Sequence, residues 1–255
     1  MSRIVAVHSY RGGTGKSNLT ANLAATLARA GSRVGMVDTD IQSPGIHAIF
    51  GFDEDSIGRS LNDYLWGNCG IADAAHDVTG VLRQAGDVAE GGATYLVPSS
   101  IKAGDIARVL REGYDAELLN DGFQTLAEQL SLDYVFADTH PGLNEETLLS
   151  MGICDTLVII LRPDRQDYQG TSVTVDVARK LDVPGLLLVV NKVPAALDAE
   201  AVRREVEKTY GAPVAGVLPL SEDMVELGSS GLFTLRFPEH QWSTEVQAIA
   251  RQLAS

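Results

Sequence analysis

The chain has 255 residues, 45% hydrophobic and 21% charged, which suits one α/β domain with a large core. Its formal net charge of −14 argues against a broadly basic nucleic-acid surface, while leaving room for a local basic stripe. No apolar run approaches the ~20 residues of a membrane span, no signal-peptide pattern precedes the first strand, and Cys69 and Cys154 lie far apart, so a reduced, cytoplasmic compartment is expected.

Ile4-Val5-Ala6-Val7 reads as a short strand, and Leu19, Leu23 and Leu27 mark one face of a helix. Between them lies Tyr10-Arg11-Gly12-Gly13-Thr14-Gly15-Lys16-Ser17, which fits [K/R]-G-G-x-G-K-[ST] in full. Glycines let a backbone curl until successive N–H groups face phosphate oxygens, and the following helix adds its positive end. Lys16 can meet β- and γ-phosphates, and the Ser17 hydroxyl can ligate Mg²⁺. The plain alternative is a glycine-rich turn before an ordinary helix.

Gly31 should end that helix, and Val34 to Val37 form a second strand running into Asp38-Thr39-Asp40. Two acids at a strand end lie where open α/β sheets bind ligands, unless they only cap the next helix. Residues 51–92 suggest two short helices, near Leu61–Leu65 and Val78–Leu82, among loops. His47, His76, Tyr64 and Trp66 read as packing or surface residues before they read as ligands.

Thr94 to Val97 is the next strand, and helices are expected over 103–112 and 115–131. Tyr134-Val135-Phe136-Ala137-Asp138 is an apolar strand ending in an acid, the form of a Walker B carboxylate that holds Mg²⁺ directly or through water. Thr139-His140-Pro141-Gly142 follows; His140 either senses a nucleotide or partner or fills a variable slot. Asn144-Glu145-Glu146 opens a helix with acids in its first turn.

Thr156 to Leu161, Leu186 to Val190 and Val214 to Leu218 complete the strands, the last followed by Pro219. The polar stretch 164–170 reads as a loop, either facing the site or paired with itself. Asn191-Lys192-Val193-Pro194 lacks the final carboxylate with which guanine-selective P-loop proteins hold their base, so ATP is preferred over GTP. A short helix over 244–253 ends the chain.

The glycine loop resembles the deviant Walker A motif of the ParA/MinD family of P-loop ATPases, with Arg11 in place of the usual signature lysine. Asp38-x-Asp40, Asp138 with Gly142, and Asn191 follow in the family's order, so the resemblance covers nearly the whole chain. It implies a single domain over 1–255 with a doubly wound, mostly parallel sheet and helices on both faces. It implies ATP and Mg²⁺ as cofactors. Gly12, Gly13, Thr14, Gly15, Lys16, Ser17 and Asn18 would form the nucleotide loop. The Gly142 amide would meet the γ-phosphate, Asn191 would contact adenine, and Pro219 would help enclose it. Ser17, Asp38 and Asp138 would support the metal. Lys16 and Asp40 would serve catalysis, with Asp40 orienting the attacking water, and Arg11 would reach across a dimer to the partner's ATP.

The resemblance further implies an ATP-dependent homodimer, slow hydrolysis stimulated by a partner protein, and positioning of a cellular cargo. An acidic chain suits a basic partner. Residues 221–255 hold two basic side chains, Arg236 and Arg251, against five acids, which disfavours a membrane-binding tail. The same count weighs less strongly against a ParA-type partition ATPase that binds DNA without sequence preference. A metal-insertion ATPase of the CooC or iron-protein type is the third alternative. It calls for paired cysteines, and Cys154 could find its pair only across a dimer.

Overall fold

The computed structural model describes residues 2–255. In chain order the elements are β1 (Arg3–His8), α1 (Lys16–Arg29), β2 (Arg33–Asp38), α2 (Ile46–Ile49), α3 (Leu61–Leu65), a 3-10 turn (Ile71–Ala74), β3 (His76–Asp77), α4 (Thr79–Gln84), β4 (Ala93–Val97), α5 (Ala103–Glu112) and α6 (Ala116–Gln129). There follow β5 (Tyr134–Asp138), α7 (Glu145–Ile153), β6 (Thr156–Leu161), α8 (Arg165–Lys180), β7 (Gly185–Val193), α9 (Ala199–Tyr210), β8 (Val214–Pro219), α10 (Glu222–Leu227), α11 (Phe233–Arg236) and α12 (Gln241–Ala254).

The strands form one sheet in the order β3-β4-β2-β5-β1-β6-β7-β8. Every pair is parallel except β3 with β4. The apolar runs of the sequence are continuous because both faces are covered. Ile4 and Ala6 of β1 join the core beneath α3, α6, α8 and α9, while Val5 and Val7 join the core beneath α1 and α12. The same alternation divides Val135 and Ala137 of β5 from Tyr134 and Phe136. This is the doubly wound α/β architecture expected from the sequence.

Several elements differ from the sequence reading. The stretch 164–170 is mostly helix: Asp164 caps α8 by accepting the N–H groups of Gln166 and Asp167. Its first turn is polar and offers no apolar stripe, which is why it reads as a loop. β3, α2, α10 and α11 are too short to show a periodicity, and α12 begins three residues before the expected start. Tyr64 donates its hydroxyl to Leu118 O at 2.9 Å, Trp66 lies under the Arg108 guanidinium, and His76 packs edge-on against Phe52. Among the described residues, no helix is long and apolar enough to cross a membrane.

Candidate nucleotide site

Sheet register assembles the charged centre. Val7 of β1 and Asp38 of β2 both align with Asp138 of β5, so three strands end side by side. Adjacent parallel strands lie about 4.8 Å apart, close enough for side chains at their ends to interact. The glycine loop leaves β1 at this edge and turns into α1 through Gly13 (φ 75°) and Gly15 (φ 98°). Gly15 is required twice over. Its backbone is left-handed, and a Cβ there would lie 2.5 Å from Asn191 Nδ2.

Lys16 begins α1 and its Nζ meets Asp138 Oδ1 at 2.9 Å, both side chains buried. Burial alone would lower the Lys16 pKa, but Asp138, with Asp40 and Asp38 behind it, holds it above the ordinary value. Asp38 is fully buried; burial first and Asp138 next push its pKa well above the ordinary carboxylate range. Its two oxygens accept the N–H groups of Asp40 and Gly45, which folds residues 38–45 into a tight loop. The loop brings Gly45 beside Ser17, whose Oγ lies 4.0 Å from where a Gly45 Cβ would be.

Asp138 Oδ2 has no hydrogen-bond partner although it is buried. An orphaned carboxylate oxygen on a side chain whose strand neighbour, Asp38, is a second buried carboxylate is a cost that a divalent cation would remove. Among the described residues, no group of three or more His, Cys, Asp and Glu side chains forms a ready metal cage. Mg²⁺ that arrives with a nucleotide needs only one or two protein ligands beside phosphate and water. Ser17 and Asp138 fit that requirement, with Asp38 beside Asp138 to support the shell.

The predicted base-side residues line a cavity of about 260 Å³ formed by Gly15, Asn18, Asn191, Pro219 and the α10 segment. β7 carries an irregularity in its pairing with β8 between Val190 and Val193. Such a bulge re-aims side chains. Here Asn191 turns inward, while Lys192, in a left-handed conformation, sends its Nζ to Gly13 O at 2.7 Å. Asn191 Nδ2 donates to Thr14 O at 2.8 Å, and Asn191 Oδ1 accepts from Trp242 Nε1 at 3.4 Å. Its amide therefore braces the glycine loop, and a base must share or replace those bonds.

Two further groups are committed within the chain. The Gly142 N–H donates to Ser9 O at 3.0 Å, so contact with a phosphate requires that bond to be exchanged. Arg11 pairs in cis with Asp167 (3.7 Å) and Asp164 (3.9 Å). Asp167 is held more firmly by Arg162, 2.9 Å away. α8 can lie this near because Gly170 leaves room for the Tyr10 ring, which would sit 2.0 Å from a Cβ at that position.

Sequence reasoning missed Trp242, which carries no local signal, and Lys192, which stood beside Asn191 in a motif read for its base contact alone. It also missed His8. Thr139 Oγ1 donates to Val7 O and accepts from His8 Nδ1, leaving the buried Nε2 without a partner. Burial, then the charge of Lys16, pushes the His8 pKa down to about 3. Cys154 is buried, its Sγ contacts Met151 O, and burial pushes its thiol up to about 12. That placement does not suit a cluster shared across a dimer.

The family model of the CobQ/CobB/MinD/ParA nucleotide binding domain matches residues 5–235. An uncharacterized ATP-binding protein of Methanocaldococcus jannaschii is 25% identical over 255 residues, spanning 99% of this chain and 88% of its own. Among solved structures, the septum site-determining protein MinD of Pyrococcus horikoshii OT3, complexed with Mg-ADP, superposes with a TM-score of 0.80 at 20% identity, covering 99% and 96% of the two chains. The MinC:MinD cell division protein complex of Aquifex aeolicus gives 0.79 at 20% identity, covering 99% and 96%. At those identities the structures speak to fold alone. The match of the family model over most of the sequence is the broader finding, and by it the chain belongs to the CobQ/CobB/MinD/ParA nucleotide-binding domain family.

Proposed function

We propose that the protein is a Mg²⁺-dependent ATPase whose ATP-bound form dimerises, and that it acts as a slow switch on a cellular cargo through partner proteins. The observation that carries this reading is the meeting of Lys16, Asp38, Asp40 and Asp138 at one sheet edge, with a buried carboxylate oxygen left unpartnered. Lys16 and the loop amides neutralise charge on the transferred phosphoryl group. Asp40 orients the water that bonds to the γ-phosphorus as the bond to the bridging oxygen breaks and ADP departs. Ser17 and Asp138, supported by Asp38, would hold Mg²⁺, which when bound would supply further charge neutralisation. Pro194 in the place of a guanine-reading carboxylate favours adenine.

Arg11 is the residue for the dimer. Its side chain is 41% exposed and its cis pairs are long, at 3.7 and 3.9 Å, so the guanidinium can exchange them for a partner's phosphate. The net charge of −14 suits a basic partner protein.

The test is the solution mass of the Asp40→Ala variant by light scattering in Mg-ATP and then in Mg-ADP. A dimer in ATP that reverts to monomer in ADP is the expected result. Equal masses in both nucleotides would remove the switch reading.

A further inference from the structure

Within the Thr139–Gly142 segment only Gly142 has a stated role at the nucleotide, and His140 has none. Its Nδ1 lies 2.6 Å from Asp40 Oδ1, although the two residues are 100 positions apart. Register explains the meeting. Asp38 and Asp138 are paired across β2 and β5, and residues 40 and 140 each follow two positions later, so equal lengths of loop bring them together. Both side chains are mostly buried, at 11% exposure for Asp40 and 23% for His140.

The bond divides the two oxygens of Asp40. Oδ1 accepts from His140 Nδ1 and from the Ser43 N–H at 3.2 Å. Oδ2 makes no hydrogen bond among the described residues. A carboxylate has only acceptors, so the shared proton is the Nδ1–H of the imidazole. That hydrogen is present in the neutral Nδ1 tautomer and in the imidazolium alike. The backbone that carries the ring is itself anchored, since Thr147 Oγ1 donates to His140 O and the Thr139 N–H donates to Val7 O.

We propose that His140 is a positioning residue for Asp40. It holds Oδ1 from the opposite loop so that Oδ2 is left to orient the attacking water, and it thereby ties the loop after β2 to the loop after β5. The inference rests on the ATPase reading above. It assigns His140 no contact with the nucleotide and no proton transfer.

The test compares the full chain with His140→Ala, His140→Asn and His140→Gln, measuring kcat and KM for Mg-ATP and the affinity for Mg-ADP. Lys16→Ala serves as the control for site-dependent turnover. An asparagine can place an N–H at the δ position where Nδ1 stands, and a glutamine cannot. The loss of one hydrogen bond to a charged group lowers kcat about tenfold in His140→Ala and His140→Gln. ADP affinity stays within about twofold, and His140→Asn recovers most of the rate, in keeping with a bond that aims the carboxylate. The comparison of Asn with Gln stands even if the alanine variant fails to fold. Unchanged kcat in Ala and Gln, a faster Ala variant, or equal losses in Asn and Gln would each overturn the assignment while leaving the ATPase reading intact. Wild-type turnover that is absent, or that survives Lys16→Ala, would overturn the ATPase reading and this inference with it.

Discussion

Replacing Gly15 by alanine tests whether the glycine loop and Asn191 form one mechanical unit. The substitution meets two costs. A side chain at φ 98° is strained by about 1–2 kcal/mol. The new Cβ would also lie 2.5 Å from Asn191 Nδ2, which must then leave Thr14 O, its acceptor at 2.8 Å. Losing that buried hydrogen bond costs about 1 kcal/mol. Gly15→Ala should therefore lose about 2–3 kcal/mol of folding stability, and Asn191→Ala about 1 kcal/mol. The double variant should lose no more than Gly15→Ala alone, because the first substitution has already expelled the amide. The coupling is then about 1 kcal/mol, roughly a fivefold change in an equilibrium constant. Urea unfolding of the four proteins measures it. Additive losses, to within about 0.3 kcal/mol, would refute the reasoning. They would mean that Asn191 steps aside from the alanine while keeping its hold on the loop.

His8 predicts a pH effect. Its pKa is about 3 in the folded chain, against about 6.5 when exposed. The unfolded chain therefore takes up a proton below about pH 6.5 that the folded chain refuses. The resulting stability is fully present above that pH and falls by about 1.4 kcal/mol per unit on acidification towards pH 3. His8→Asn, which keeps a donor for Thr139, should lack this slope in urea midpoints taken at pH 7, 6 and 5; parallel profiles would count against it. Lys16→Ala should abolish nucleotide binding by calorimetry. It should also cost about 3–5 kcal/mol in unfolding, because Asp138 loses its buried counter-charge. Adding Asp138→Asn should return much of the stability and none of the binding. A Lys16→Ala chain that binds nucleotide normally would show that the site is misplaced.

The glycine loop, Asp38-x-Asp40 and Asp138 were legible in the sequence because their signals are local. A few consecutive residues carry both the side chains that meet at the sheet edge and the turn that displays them. The strands were legible for a related reason, since β1, β5 and β6 are buried on both faces and carry continuous apolar runs between their ends. What escaped was set by register between distant segments. Nothing near His140 announces Asp40, and nothing near Trp242 announces Asn191, until β2 meets β5 and α12 folds back beside β8. α8 escaped because its first turn is given to a cap and to the ion pair of Asp167 with Arg162. The trans role expected of Arg11 meets a cis alternative that only the approach of α8 to the loop reveals.

The cavity lined by Gly15, Asn191 and Trp242 is assembled from segments far apart in the sequence. Gly15 and Asn18 are made more than 200 residues before Pro219, Ser221 and Trp242. A nascent chain thus exposes a complete glycine loop long before it has a wall against which a base can rest. Closing that wall joins residues separated by more than 200 positions, a slow step by loop-closure entropy. During translation, nucleotide capture should therefore await the emergence of α12 from the ribosome, and partly synthesised chains should be poor competitors for ATP.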